Sequence, residues 1–415
     1  MQNNLNRFIT IICIAFLTVA GIIYFSRVTD RRDDDYKYAP FFSEDTDYDV
    51  LFFGTSHVIY GIYPMNLWEQ FGMTSYNFGG HGNSLAVSYW QFKNAIRYHK
   101  PKIAVIDVCG AYRDNNEMIY AFEQAHISLD AFPLTPTKIK GIREVFPKRE
   151  EQLELMFPFS SYHARWNELN GNAYLAPFVR EETTKEKGAE SAAGIAGGYE
   201  EALVSRDESW GEHTVSMDYI ERFVEDCRTE GIEPVLIFLP DPAGKEAKLG
   251  ANSVYSIAEE YNVPYINFTY EEALVDPETD FFDPDAHLNM LGAGKITEYL
   301  GNFLTENYAV GDKREDPAYS SWNQAAGAFR ELLLSRAAEQ QELSSLLSML
   351  YSPYYTGELY IGRDYELSEL EKKVISRLEE KLVIHRITNM DQYGNEGFLD
   401  LKDPEGEVLL RVDGF

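Results

Sequence analysis

The sequence is short of cysteine and of basic residues, and it lacks the glycine, cysteine and histidine spacings that announce a common cofactor. Three cysteines, Cys13, Cys109 and Cys227, are too few for a disulfide framework. They read as small apolar residues and leave the compartment open. Lysine and arginine number 37 against 67 aspartates and glutamates, a net charge of -30. Such a balance disfavours nucleic acid and other polyanionic partners. There is no P-loop, no dinucleotide fingerprint and no zinc-spaced cluster, so no cofactor and no metal is expected. No repeat of fixed period points to a solenoid.

What is present suits a packed globular chain: 45% of residues are hydrophobic and 14% aromatic. The length allows one large domain of about 250 to 300 residues and a smaller one. Residues 1–26 are expected to form a transmembrane anchor, because the run from Phe8 to Phe25 is uncharged and near the lower length limit for a spanning helix. No small-x-small cleavage site follows it, which favours an anchor over a removed signal peptide. Counting only basic flanks, Arg7 on one side against Arg27, Arg31 and Arg32 on the other, would put the body on the cytoplasmic face. The run Asp33-Asp34-Asp35 softens that count. Residues 27–47 are polar and read as a stalk.

From residue 48 to 311 apolar strand-like runs alternate with helical patterns. Strands are expected at 48–53, 75–78, 102–109, 234–239 and 264–268, with helices at 64–71, 84–98, 215–230, 253–261 and 291–306. The fold class this implies is α/β, a doubly wound and mostly parallel sheet. Residues 110 to about 213 interrupt the alternation and read as an insertion over the sheet's carboxyl edge, with the small, polar stretch 183–198 expected to be mobile. Residues 312–415 read as a small α+β module, with helices to about Leu350 and near 367–381 and strand-like runs at 382–388, 397–402 and 407–412.

Three loops carry residues that do chemistry. In Val50-Leu-Phe-Phe-Gly-Thr-Ser-His57 an apolar strand ends at Gly54, which places Ser56 where open α/β sheets keep their reactive groups. Alone, this stretch reads more readily as a plain strand exit with a Ser or Thr helix cap. The second loop is Asn77-Phe-Gly-Gly-His-Gly-Asn83, whose glycines offer flexible backbone N–H groups, Gly82 above all. The third is Phe281-Phe-Asp-Pro-Asp-Ala-His-Leu-Asn289, which brings an imidazole, His287, and two carboxylates, Asp283 and Asp285, after the last strand. A serine becomes a nucleophile when a base lies within hydrogen-bond reach, an acid orients that base, and donors await the oxyanion. A metal site on Asp283, Asp285 and His287 is a weaker alternative.

The three loops taken together resemble the SGNH (GDSL-type) hydrolase superfamily, over about residues 48 to 306. The likeness is greatest to its membrane-anchored branch, similar to the D-alanine transfer protein of teichoic acids and to exopolysaccharide O-acetylation proteins. The resemblance implies Ser56 as nucleophile, Gly82 as a backbone oxyanion donor and His287 as base, with Leu288, Asn289 and Gly292 in the family's manner. It departs from this sequence twice. The acid usually stands three residues before the histidine, where Pro284 is found, so Asp285 is preferred and Asp283 is the alternative. The third block, Cys109-Gly-Ala-Tyr-Arg113, has no asparagine, so Tyr112, Asn83 or Asn115 would stand in. His57, His81, His163, Arg165 and Trp166 are candidate substrate contacts, His57 as a pocket wall.

What the resemblance implies is a serine acyl esterase or O-acyltransferase on cell-surface polysaccharide, held outside the membrane as a single-pass protein. A partner membrane acyltransferase would supply the acyl group. The other class of reading is a catalytically idle scaffold of the same fold that binds glycan or assembles a surface complex.

Overall fold

The computed structural model describes residues 2–29, 37–114, 122–167, 169, 171, 173–175, 185–197, 199, 202–242, 244–271, 274–387 and 397–415. Helix α1 (Gln2–Thr29) has a long apolar stretch whose large side chains, from Leu5 to Phe25, are mostly exposed, while Val28 and Thr29 at its C-terminal end are buried. Its segment Leu5–Ser26 is long and apolar enough to cross a membrane.

The chain next described does not hang free. Residues 37–43, assigned by composition to the stalk, pack into the body through the 3-10 turn Ala39–Ser43. Tyr38 and Phe41 are fully buried, and the Phe41 ring meets Tyr48, Tyr76 and Phe78. The Tyr38 hydroxyl donates to the Gly79 carbonyl, which fastens this segment to the carboxyl end of a central strand.

The body then runs β1 (Val50–Gly54), α2 (Ser56–Gly61), α3 (Pro64–Phe71), β2 (Ser75–Gly79), α4 (Leu85–Ala95) and β3 (Ile103–Asp107). The insertion holds α5 (Phe122–Leu129), α6 (Pro136–Val145), α7 (Arg149–Met156) and α8 (Phe159–Tyr162). Alternation resumes with α9 (Val215–Glu230), β4 (Glu233–Phe238), α10 (Lys245–Glu260), β5 (Tyr265–Asn267) and α11 (Met290–Asn307). The five strands are parallel in the order β2-β1-β3-β4-β5. Almost every strand residue is buried, which is why these runs read as continuous apolar stretches without alternation. In this order the chain reverses direction of winding between β1 and β3, so the switch-point crevice opens beside the end of β1.

The C-terminal part comprises α12 (Ser320–Glu339), α13 (Leu343–Ser348), β6 (Thr356–Ile361), α14 (Glu369–Leu378), β7 (Leu382–Arg386), β8 (Phe398–Lys402) and β9 (Val408–Asp413). Its four strands form a mixed sheet, β7-β6-β8-β9, with β6 and β7 parallel. Strand β6 was not expected from the sequence. Gly357 lies within it and burial merely alternates, so its signal is weaker than that of the central strands. This part shares its core with the α/β body: fully buried Trp322 of α12 meets Trp68 of α3 and Tyr48.

The insertion also differs from its reading. Residues 185–197, expected to be mobile, are pinned strand-fashion across the body. The Glu190 and Ala196 N–H groups donate to the Ile59 and Phe281 carbonyls, and Met290 N–H donates to Ala192. Small residues suit that path because backbones approach closely along it: a Cβ on Gly188 would stand 2.2 Å from the Asn77 carbonyl oxygen.

Candidate active site

Strand β1 delivers Ser56 because Gly54 ends it. A Cβ at Gly54 would lie 2.5 Å from Val58 and 2.8 Å from Asp107, so a glycine is what lets α2 turn off the strand this tightly. Thr55 caps α2, its hydroxyl accepting from the His57 N–H at 3.2 Å. Among the described residues the Ser56 N–H has no acceptor, as expected for the first turn of a helix. The cap reading and the nucleophile reading are therefore compatible: Thr55 caps, and Ser56 is left over.

The third loop comes back to meet it. Phe281 and Leu288 form an isolated antiparallel bridge, and Phe282 N–H donates to the His287 carbonyl at 3.0 Å, which folds 281–288 into a small hairpin. Asn289 fixes its far end by capping α11, accepting from the N–H groups of Leu291 and Gly292. The Asn289 amide also donates to the carbonyls of Gly194 and Thr279, both at 2.8 Å.

His287 Nε2 lies 2.7 Å from Ser56 Oγ, and His287 Nδ1 lies 2.6 Å from Asp283 Oδ2. A carboxylate only accepts, so Nδ1 carries the proton and Nε2 is left to accept from the serine hydroxyl. The carboxylate at the histidine is thus Asp283, and the preference for Asp285 is corrected. Ala286 takes a left-handed φ of 58°, which curls the loop back over four residues. Asp283 Oδ1 holds that curl by accepting from the N–H groups of Asp285 and His287, each at 3.1 Å. Asp285 itself points to solvent. The Asp-Pro pair at 283–284 is a turn-initiating signal and was the available clue.

A cavity of about 250 Å³ opens beside the serine and is lined by Ser56, His57, Gly82, Asn83, Tyr112 and Arg113, among others. Gly82 adopts a left-handed φ of 60°, and among the described residues its N–H has no acceptor. Gly82 and Ser56, each with a backbone N–H that meets no acceptor among the described residues, thus line one cavity. Asn83 does not add a third donor. Its amide donates to the Gly54 carbonyl and to Gln91, and its oxygen accepts from Ser128, so the side chain braces the glycine loop. Tyr112 keeps its place on the wall, its hydroxyl accepting from Arg113 Nε at 3.2 Å. Asn115 lies outside the described residues.

The remaining sequence candidates separate. The His57 ring meets His287 edge-on at 5.4 Å, and burial pushes its imidazole below the ordinary value, so it stands as a neutral wall. His81 packs near Tyr60, with ring centroids 6.0 Å apart. Arg165 and Trp166 are not on the cavity wall: Arg165 donates to the Thr29 carbonyl at the end of α1, and Trp166 is exposed. The His163 side chain lies outside the described set.

Sequence reasoning missed the support around the histidine. The Tyr60 ring sits 5.0 Å from His287, and its hydroxyl donates to Glu190 at 2.9 Å. Glu190 also accepts from Lys37 at 3.2 Å. Burial pushes the Glu190 carboxyl upward, but Lys37 and Tyr60 together hold it below its usual range. Tyr60 follows Ser56 by four residues and so shares its helix face, a spacing visible in the sequence. The Tyr199 hydroxyl donates to the Asp283 carbonyl.

Cys109 also lines the cavity. Burial, then the neighbouring Asp107 and Asp241, push its thiol well above the ordinary value, so it stays protonated and does not compete as a nucleophile. Among the described residues the group with convergent metal-ligating atoms is His213, Asp218 and Glu221, and the loop of Asp283 and His287 supplies none. No family model and no curated protein matches this chain.

Under the site lies a titrating carboxyl. Asp107 ends β3 fully buried, and burial raises it to about 7, even though the N–H groups of Leu239 and Cys109 favour its charged form. Between the ordinary aspartate range and about 7 the folded chain holds a proton that the unfolded chain has released, so stability falls as pH rises through that window. Asp107→Asn, whose oxygen can still accept from Leu239, should gain on the order of 2–4 kcal/mol over the parent at pH 8. The gain should shrink toward pH 5. Melting temperatures of the two proteins at both pH values test this.

Proposed function

We propose that the chain is a membrane-anchored serine acyl esterase or O-acyltransferase of the SGNH type. In this reading its body lies outside the membrane and acts on cell-surface or cell-wall polysaccharide. The observation that carries it is the 2.7 Å approach of His287 Nε2 to Ser56 Oγ, made by two loops 231 residues apart in the chain. Ser56 Oγ attacks the ester carbonyl while His287 takes the hydroxyl proton. The oxyanion faces the N–H groups of Ser56 and Gly82. Collapse breaks the C–O bond, His287 returns the proton to the leaving alcohol, and an acyl-serine remains. Water or a sugar hydroxyl then gives its proton to His287 and attacks the acyl carbonyl, the acyl C–Oγ bond breaks, and His287 returns the proton to Ser56 Oγ. A cavity of about 250 Å³ suits a short acyl group better than a fatty chain. A partner membrane acyltransferase that delivers the acyl group fits the same reading.

A fluorophosphonate probe tests it on the purified full chain. Labelling is expected, and Ser56→Ala is expected to abolish it while leaving the melting temperature within a few degrees. A folded parent that takes no label would instead favour the idle glycan-binding scaffold. One observation supports that second reading: Asn83 spends its amide inside the loop, which leaves the oxyanion to backbone donors and Tyr112.

A further inference from the structure

Around the end of α1 the insertion exposes large apolar side chains that the acyl-transfer reading leaves unused. Helix α8 and the 3-10 turn His163–Asn167 pack against α1. Two hydrogen bonds fix the level of that contact. Arg165 donates to the Thr29 carbonyl at 3.3 Å, and the Tyr24 hydroxyl donates to the Tyr174 carbonyl at 3.1 Å. Tyr24 lies inside the apolar segment Leu5–Ser26, two residues from its end. At a rise of about 1.5 Å per residue that is roughly 3 Å below the segment's edge. Next to Arg165 and Tyr174 in the chain, Trp166 is 70% exposed and Leu175 59%, Tyr174 itself is 44% exposed, and Phe157, just before α8, is 50%.

We propose that Phe157, Trp166, Tyr174 and Leu175 form a second membrane contact. It would rest on the headgroup zone of the leaflet from which the C-terminal end of α1 emerges. The inference rests on α1 spanning the bilayer, and it is independent of the chemistry at Ser56. Trp and Tyr are the side chains that settle at this depth, with an apolar ring below and a polar edge toward water. A patch left open on a soluble face would be a liability, and here the segments that carry it are packed against a helix that already needs lipid. The occupant is an apolar interface, because a chain of net charge -30 gains nothing from anionic headgroups.

The test uses the full chain reconstituted in phosphatidylcholine vesicles whose acyl chains are brominated near the headgroup end. Of the five tryptophans, Trp68, Trp90 and Trp322 are buried and Trp210 is half-buried against Tyr112, so the quenching assigned to the contact is the part that depends on Trp166. Tryptophan emission should be quenched relative to unbrominated vesicles, and Trp166→Phe should remove most of that quenching. Alkaline carbonate extraction, run in parallel, reports on α1. Protein that resists extraction but shows no bromine quenching overturns the second contact and leaves the anchor standing. Protein released by carbonate overturns the anchor, and the second contact with it.

Discussion

Asp283→Asn should slow acylation of Ser56 by about 10⁴-fold, whereas Asp285→Asn should leave it within about twofold. The size of the first effect follows from how the carboxylate is held. Oδ1 is fixed by two backbone N–H groups, so an asparagine at 283 would keep its oxygen there. Its NH₂ would then fall on His287 Nδ1, where Oδ2 now lies at 2.6 Å. That nitrogen would have to accept, the ring proton would move to Nε2, and Nε2 could no longer take the serine proton. The backbone turn would survive, so the loss would be of tautomer and not of fold. Asp285 offers its N–H to the turn and its side chain to water, so changing that side chain touches neither bond. The pseudo-first-order rate of fluorophosphonate labelling, or hydrolysis of an activated aryl acetate, measures both variants. Equal losses in the two, or the larger loss in Asp285→Asn, would sink the assignment.

The second large effect concerns non-additivity. Ser56→Ala and His287→Ala should each lower aryl-ester turnover by about 10⁴- to 10⁶-fold, and the double variant should be no worse than about tenfold below either. Serine and imidazole act as one unit: without the base the hydroxyl is not a nucleophile, and without the hydroxyl the base has nothing to activate. Losses that multiply would mean that the two side chains contribute separately and that turnover does not run through their hydrogen bond. Circular dichroism and melting curves on each variant keep a folding defect from being mistaken for a chemical one.

The central sheet was legible because its strands are buried on both faces. Val50–Phe53, Ile103–Asp107 and Pro234–Phe238 carry no alternation to confuse with a helix and are bounded by clear breaks. Helix α3 begins with Pro64 in its first turn, and α9 is an amphipathic run that Thr214 caps, so both were legible as helices from their periodicity. From that pattern alone Ser56 and His287 could be set at one sheet edge. What the pattern could not give was the loop's internal path. Choosing between Asp283 and Asp285 depends on a left-handed Ala286, and alanine carries no sequence signal for that conformation. Asn83 was misjudged for a similar reason: its partners Gln91 and Ser128 arrive from α4 and α5, and only tertiary packing shows them. The small, polar stretch 185–197 looked unstructured because its partners come from far along the chain: the backbone of Ile59 and Phe281, and the side chains of Lys37, Glu44, Tyr60 and Arg336.

The burial of Lys37 and Tyr38 against the reactive end of the sheet sets a working radius. Only eight peptide links separate Thr29, at the foot of α1, from Lys37, which is tied through Glu190 and Tyr60 to the wall of His287. Eight links pulled taut reach about 30 Å at most. With α1 in a bilayer, the cavity beside Ser56 would serve a thin layer just above the lipid, and under the proposed function a polymer would be modified while still near its point of emergence.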